Sequence, residues 1–160
     1  MKIEFNIRDY GRMVAELYPE KAPKTVENFL GLIDRKFFDG LIFHRVIAGF
    51  MIQGGGYDVN MNHKDAPSIK GEFAANGFTQ NDLKHTRGVL SMARTMIPDS
   101  ASSQFFIMHA DAPHLDSQYA GFGRVIEGLE VIDAIATVPT DRRDCPRVDV
   151  VIESVRRLED

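Results

Sequence analysis

Arg45 and Gln53 stand among bulky apolar residues (Phe43, Val46, Ile47, Phe50, Met51, Ile52), and three glycines, Gly54 to Gly56, follow at once. A guanidinium stays charged at any working pH, so setting one in apolar company costs free energy unless it has a task. Further along, Leu90-Ser91-Met92-Ala93-Arg94-Thr95 and Ser103-Gln104-Phe105-Phe106-Ile107-Met108 repeat the mixture, with Gly88 opening the first of them. Read as strands, the alternation sets Met51 and Gln53 on one face, and Gln104, Phe106 and Met108 on one face of theirs. Each strand then offers an apolar wall beside a carboxamide. A fixed cation in such surroundings suits the stabilisation of charge that shifts during a reaction.

Other chemistries have less support. Gly54-Gly55-Gly56 is followed by no Gly-Lys-Ser/Thr and opens no helical pattern, so it reads as a tight turn rather than a phosphate cradle. His109, Asp111, His114 and Asp116 crowd one segment, yet they contain no i, i+4 histidine pair and flank Pro113, so solvated loop polarity is expected and no metal site. Ser102 and Ser103 lack a Gly-x-Ser-x-Gly elbow or a Ser-x-x-Lys pairing. Cys145, the single cysteine, sits beside Pro146 among charges and is expected to be incidental. Taken singly, each Phe or Met here reads as core, Arg45 as a surface residue with an apolar stem, and Gln53 and Gln104 as partners for buried backbone. Their order along the chain is what sets them apart.

The elements that must hold these residues follow from periodicity. Ile3, Phe5 and Ile7 alternate with polar neighbours, and Met13, Ala15 and Leu17 follow after Arg8-Asp9-Tyr10-Gly11, which predicts a hairpin. Val26, Phe29, Leu30 and Ile33 fall at i, i+3, i+4 and i+7 behind Pro23, predicting a helix over 23–34. After a turn at Asp39-Gly40, strands are expected at 41–47, 50–54, 88–93, 103–109 and 119–126, with a long loop over 57–87. Leu129, Ile132, Ile135 and Ala136 mark a second helix over 128–136, and Val148, Val150 and Ile152 a closing strand. Strands joined by turns rather than crossover helices favour a mainly β fold, an antiparallel sheet of eight strands closed into a barrel.

The 160 residues fit one domain, 1–160, with no repeat, linker or low-complexity segment. Nineteen basic against 23 acidic residues give a net charge of -4, which argues against an electrostatic nucleic-acid binder. No leader precedes Lys2-Ile3-Glu4-Phe5 and no apolar run approaches membrane-spanning length, so no membrane partner and a reducing cytoplasm are expected.

From about Ile3 to about Val155 the ordered segments resemble the cyclophilin family of peptidyl-prolyl cis-trans isomerases. The resemblance implies a barrel capped by a helix at each end and rotation about X-Pro bonds without a cofactor. It implies that Arg45 sits at the prolyl nitrogen and that Phe50, Met51, Phe106 and Leu115 line the proline pocket. Gln53 would hold the substrate backbone with Gln104 beside it, and Ala93-Arg94-Thr95 would lie along the residues that precede the proline. Expected partners are proline-containing peptides and unfolded or partly folded proteins, met by a monomer. Three positions depart from the best-known eukaryotic members: His114 replaces a tryptophan, Tyr119 a histidine and Arg94 an asparagine. Met92-Ala93-Arg94-Thr95 is similar to the bacterial form. These changes leave the pocket and the arginine in place but imply weak cyclosporin binding. A non-catalytic module that holds Pro-containing segments is the main alternative, and a metal-dependent hydrolase a further one. Arg45 favours the enzyme, because a pure binder needs the pocket but not the cation.

Overall fold

The computed structural model describes residues 1–158. Strands β1 (Lys2–Ile7) and β2 (Gly11–Leu17) form the expected hairpin. Helix α1 (Pro23–Asp34) follows, then β3 (Arg45–Ile47), β4 (Met51–Gly54), β5 (Val89–Met92), β6 (Phe105–Met108) and β7 (Gly121–Glu127). Helix α2 (Leu129–Ala136) and β8 (Ile152–Leu158) end the order. Among the described residues these eight strands make one antiparallel sheet, in the order β3-β4-β6-β5-β7-β2-β1-β8.

The sheet curls, but its ladder does not close as expected. Between edge strands β3 and β8 stands an isolated bridge, Ile42 with Val151, flanked by three backbone hydrogen bonds: Gly40 N–H to the Ile152 carbonyl and Ile152 N–H to the Leu41 carbonyl, both at 2.8 Å, and Phe43 N–H to the Val150 carbonyl at 3.0 Å. Both edges are occupied by other parts of the chain. The Val46 N–H donates to the Asp144 carbonyl at 2.7 Å, while Arg156 of β8 pairs with Asp39 in the turn after α1 and Arg157 with Asp34 at the helix end. Edges covered in this way have little left to offer a neighbouring strand.

Most strand boundaries fall within about two residues of expectation, but two strands start later, at Arg45 and Ile152. β3 begins only at Arg45, because Leu41, Ile42 and Phe43, all buried, bond to residues 150–152 and Tyr57 rather than to β4. The closing strand starts at Ile152 rather than Val148, whose side chain is 80% exposed. Loop 57–87 holds a single 3-10 turn, Ala74–Asn76, and is pinned from within. Buried Glu72 accepts from the Thr25 N–H at 2.6 Å and its hydroxyl at 2.7 Å, serving α1, whose N-cap Ala22 has no side-chain acceptor.

Both faces of the central strands are buried, and they bury different things. Phe105 and Ile107 of β6 point into the main core, where Phe105 meets Phe29 of α1 edge-on at 5.4 Å and also meets Phe5, Phe38 and Phe43. Phe106 and Met108 point the other way, into a smaller cluster with Met51, Val89, Ala112 and Leu115. A period of two with both faces covered explains why β6 is an unbroken apolar run.

Candidate active site

The smaller cluster is where the polar residues gather. Cross-strand register places Arg45 opposite Gln53, Gln53 opposite Phe106, and Phe106 opposite Ser91, one row across β3, β4, β6 and β5. Residues opposite each other in a ladder share a face, so the row is built by the backbone before any side chain chooses a rotamer. Arg45 Nη1 lies 3.4 Å from Gln53 Oε1, and Gln53 Nε2 donates to Gln104 Oε1 at 3.0 Å. Gln53 is thereby oriented, oxygen toward the cation and amide toward its neighbour. Among the described residues Arg45 is in no ion pair, so its charge remains available.

The triple glycine makes room for this arrangement. A Cβ on Gly56 would stand 2.5 Å from the Gln104 carboxamide, and Gly55 has φ +91° with Ser103 O and Phe105 close by. The turn reading of these glycines thus gains a reason: they let Gln104 lie on the backbone.

A cavity of about 150 Å³ opens above the row, lined by Arg45, Phe50, Met51, Gln53, Ala93, Arg94, Phe106, Leu115 and Tyr119. It is smaller than the ~300–1,000 Å³ of most cofactor and drug sites and suits one small ring. A second cavity of about 280 Å³ adjoins it, sharing Gln53, Ala93 and Arg94 and adding Thr95 and Gln104. His114 stands at the rim, its ring 5.8 Å from that of Phe50. The two adjoining cavities are thus lined by every expected site residue except His114, which touches them only through Phe50.

Arg94 does something its position alone did not suggest. Its Nη2 donates to the Gln118 carbonyl at 2.6 Å and its Nη1 to the Thr95 carbonyl at 2.9 Å, while the guanidinium lies between the rings of Phe73 and Tyr119. It is a strut joining loop 57–87 to the far wall, with its charge already committed.

Beneath Phe106 lies a buried chain of polar groups that sequence reasoning missed. His85 Nε2 is 2.8 Å from Ser91 Oγ, His85 Nδ1 is 3.3 Å from Asp116 Oδ1, and the imidazole stacks on the Phe106 ring. Burial lowers the His85 pKa against the opposing pull of Asp116, so the ring is neutral, donating to the carboxylate and accepting from the hydroxyl. Ser91 and His85 are closed to solvent, which makes the trio a support rather than a nucleophile. A serine inside Val89-Leu90-Ser91-Met92 was the available signal.

The 109–116 segment is not merely solvated polarity. His109 Nδ1 accepts from the Gly49 N–H at 2.9 Å, Asp111 accepts from the Arg87 N–H at 2.9 Å, and Asp116 accepts from the His85 N–H at 2.6 Å. Among the described residues no three His, Cys, Asp or Glu side chains are grouped to hold a metal ion. The Cys145 thiol is pushed up chiefly by burial, the wrong direction for a nucleophile. Ser103 donates to the Gly55 carbonyl at 2.7 Å.

The family model for cyclophilin-type peptidyl-prolyl cis-trans isomerases matches residues 2–157. The chain belongs to that family. It is 48% identical over 156 residues to a peptidyl-prolyl cis-trans isomerase of Acinetobacter baylyi, covering 91% of this chain and 80% of the relative. It is 42% identical over 160 residues to peptidyl-prolyl cis-trans isomerase B of Escherichia coli, covering 92% and 94%. Among solved structures, a cyclophilin-type isomerase of Cryptosporidium parvum, crystallised in the presence of the dipeptide Ala-Pro, superposes with a TM-score of 0.84 at 28% identity over the whole of both chains. The reaction class of this cyclophilin is that of its family, an isomerisation that needs no cofactor.

Proposed function

We propose that the groove around Arg45 is where this cyclophilin binds the proline of a polypeptide and rotates the bond before it. The observation that carries the reading is Arg45, in no ion pair among the described residues and braced by Gln53, at the mouth of a cavity the size of one small ring that Phe50, Met51, Phe106 and Leu115 wall on one side. An X-Pro amide resists rotation by ~18–20 kcal/mol because of its partial double bond. As the bond twists, resonance is lost and the lone pair localises on the prolyl nitrogen. A guanidinium N–H aimed at that nitrogen stabilises the twisted state more than the planar one, which is the requirement for catalysis. Phe50, Met51, Phe106 and Leu115 desolvate and hold the ring, while Gln53 and Gln104 offer amide groups to the flanking backbone. Lowering the barrier by ~7 kcal/mol gives roughly 10⁵-fold acceleration, within reach of orientation plus one preorganised cation.

We further propose that residues 1–160 act as one monomeric domain on unfolded or partly folded cytoplasmic proteins. No helix among the described residues is long and apolar enough to cross a membrane. The deciding experiment is an isomerisation assay on a short Ala-Pro peptide. The protein should accelerate the exchange, and Arg45→Ala should lower kcat/KM by roughly 10²- to 10³-fold while the fold persists. A folded Arg45→Ala protein with undiminished turnover overturns the assignment, and a wild-type protein that binds the peptide without accelerating it is a binding module.

A further inference from the structure

Met96 and Ile97 are adjacent and exposed, 94% and 66%. Single exposed apolar residues are ordinary on a protein surface, but a contiguous pair beside a binding groove calls for an explanation. The loop that carries them is not loose. Ser100 Oγ accepts from the Thr95 N–H at 2.9 Å and donates to the Ile97 carbonyl at 2.6 Å, closing the loop on itself. Asp99 Oδ1 accepts from the Gly71 N–H and from Asn76 Nδ2, both at 2.9 Å, tying it to loop 57–87. Gly71 has no room for a side chain, since a Cβ there would meet the Pro98 carbonyl at 2.4 Å. The two apolar side chains are held out by a braced frame.

The frame continues the groove. Thr95 and Ser100 line the second cavity, which shares Gln53, Ala93 and Arg94 with the first. The stretch offers a partner no free cation, because the Arg94 guanidinium rests on two carbonyls, and Asp99 turns its Oδ1 inward to hold two N–H groups. We propose that Met96 and Ile97 form an apolar docking edge for the segment of an unfolded polypeptide that precedes the proline, so that this enzyme favours clients with apolar residues there. The proposal rests on the assignment of the smaller cavity to the proline ring, with Ala93 to Thr95 along the preceding residues. The occupant is an extended apolar stretch such as a folded protein would have buried, the chemistry of a chain still folding.

The test compares two soluble peptides with lysine at each end, alike except that Leu-Phe in one and Ser-Ser in the other precede Ala-Ala-Pro. Wild-type kcat/KM should be roughly three- to tenfold higher for the Leu-Phe peptide, with the difference carried in KM. The Met96→Ser, Ile97→Ser double variant should treat the two peptides alike and keep the wild-type rate on the Ser-Ser peptide. Equal wild-type rates on both peptides, or a preference that survives the substitutions, overturns the proposal. So does a loss of rate on both peptides, which would make the loop part of the pocket. A concentration-dependent dimer in sedimentation, abolished by the double variant, would assign the edge to a second copy instead. A wild-type protein inactive on both peptides refutes the cavity assignment itself, and this proposal with it.

Discussion

Phe105 and Phe106 are neighbours in β6 and sit in opposite kinds of environment. Phe105 is fully buried among four other aromatic rings. Phe106 is nearly as buried, yet it borders an open cavity, stacks on His85 and faces Gln53 across the ladder. One face of the sheet spends its apolar surface on stability; the other leaves part of its surface uncovered and surrounds it with a cation and carboxamides. The same two-residue period thus builds core and site from one strand, and a substitution at either position should reveal which face it serves.

The largest effect is expected on the core face. Phe105→Ala should cost about 3–5 kcal/mol of unfolding free energy, because the rings around it cannot collapse into the space. Phe106→Ala should cost less, since its ring already borders a void, while weakening peptide affinity by roughly 1.5–3 kcal/mol of lost apolar burial. Urea melts and peptide titrations on both variants check this; matching losses of stability would erase the distinction between the faces.

Next in size is the cation. Arg45→Lys should lose much of the activity that Arg45→Ala loses, because a point charge on a flexible stem cannot be braced by Gln53 and aimed at once. Thermal melting should hardly move, as Arg45 is exposed and unpaired. No proton is transferred in the proposed step, and His85 and His44 both titrate below their ordinary range. The kcat/KM profile should therefore stay nearly flat from about pH 6 to 8.5, with or without EDTA. A bell-shaped profile would point to acid-base chemistry instead.

A smaller effect concerns His44, adjacent to Arg45 but packed on Tyr57 at 4.6 Å. Burial first, then the Arg45 charge and His63, lower its pKa from 6.5 to about 4. The unfolded chain then binds a proton that the folded chain refuses. The contribution is complete above about pH 6.5 and is lost as pH falls toward 4, amounting to about 1–3 kcal/mol. His44→Gln should be less sensitive than wild type between pH 7 and 4.5 in denaturant midpoints. Equal sensitivity would mean that other groups carry the acid response.

The smallest change is at the rim. His114 is exposed beside Phe50, where relatives that bind cyclosporin are expected to present an indole. His114→Trp should tighten cyclosporin roughly tenfold by isothermal titration. Recovery should be incomplete, because Tyr119 and the Arg94 strut also shape that wall. No change in affinity would place position 114 outside the contact.

Much of this was legible from local pattern. The i, i+3, i+4, i+7 spacing of Val26 to Ile33 located α1, and the order of Arg45, Phe50, Gln53, Gln104 and Phe106 located the groove. What stayed hidden depends on distant partners. β8 carries Arg156 and Arg157, and no local pattern links them to Asp39 and Asp34, with which they pair more than a hundred positions away. The Arg94 strut needs Phe73 and Gln118, and no spacing rule connects the three. Closure of the sheet was inferred from the cost of free edges, but the chain covers its edges with loops and ion pairs, which meet that cost without a ladder.

Glu72 ties these regions together in time as well as in space. Because the cap of α1 is supplied from 47 positions away, the first turn of the helix cannot be protected while loop 57–87 is detached. Hydrogen exchange at the Thr25 amide should therefore report the opening of that loop rather than local fraying of the helix end. Phe73, the next residue, is one of the two rings that grip Arg94. A slow breathing of the loop would thus unfasten the helix and slacken the groove wall in a single cooperative event.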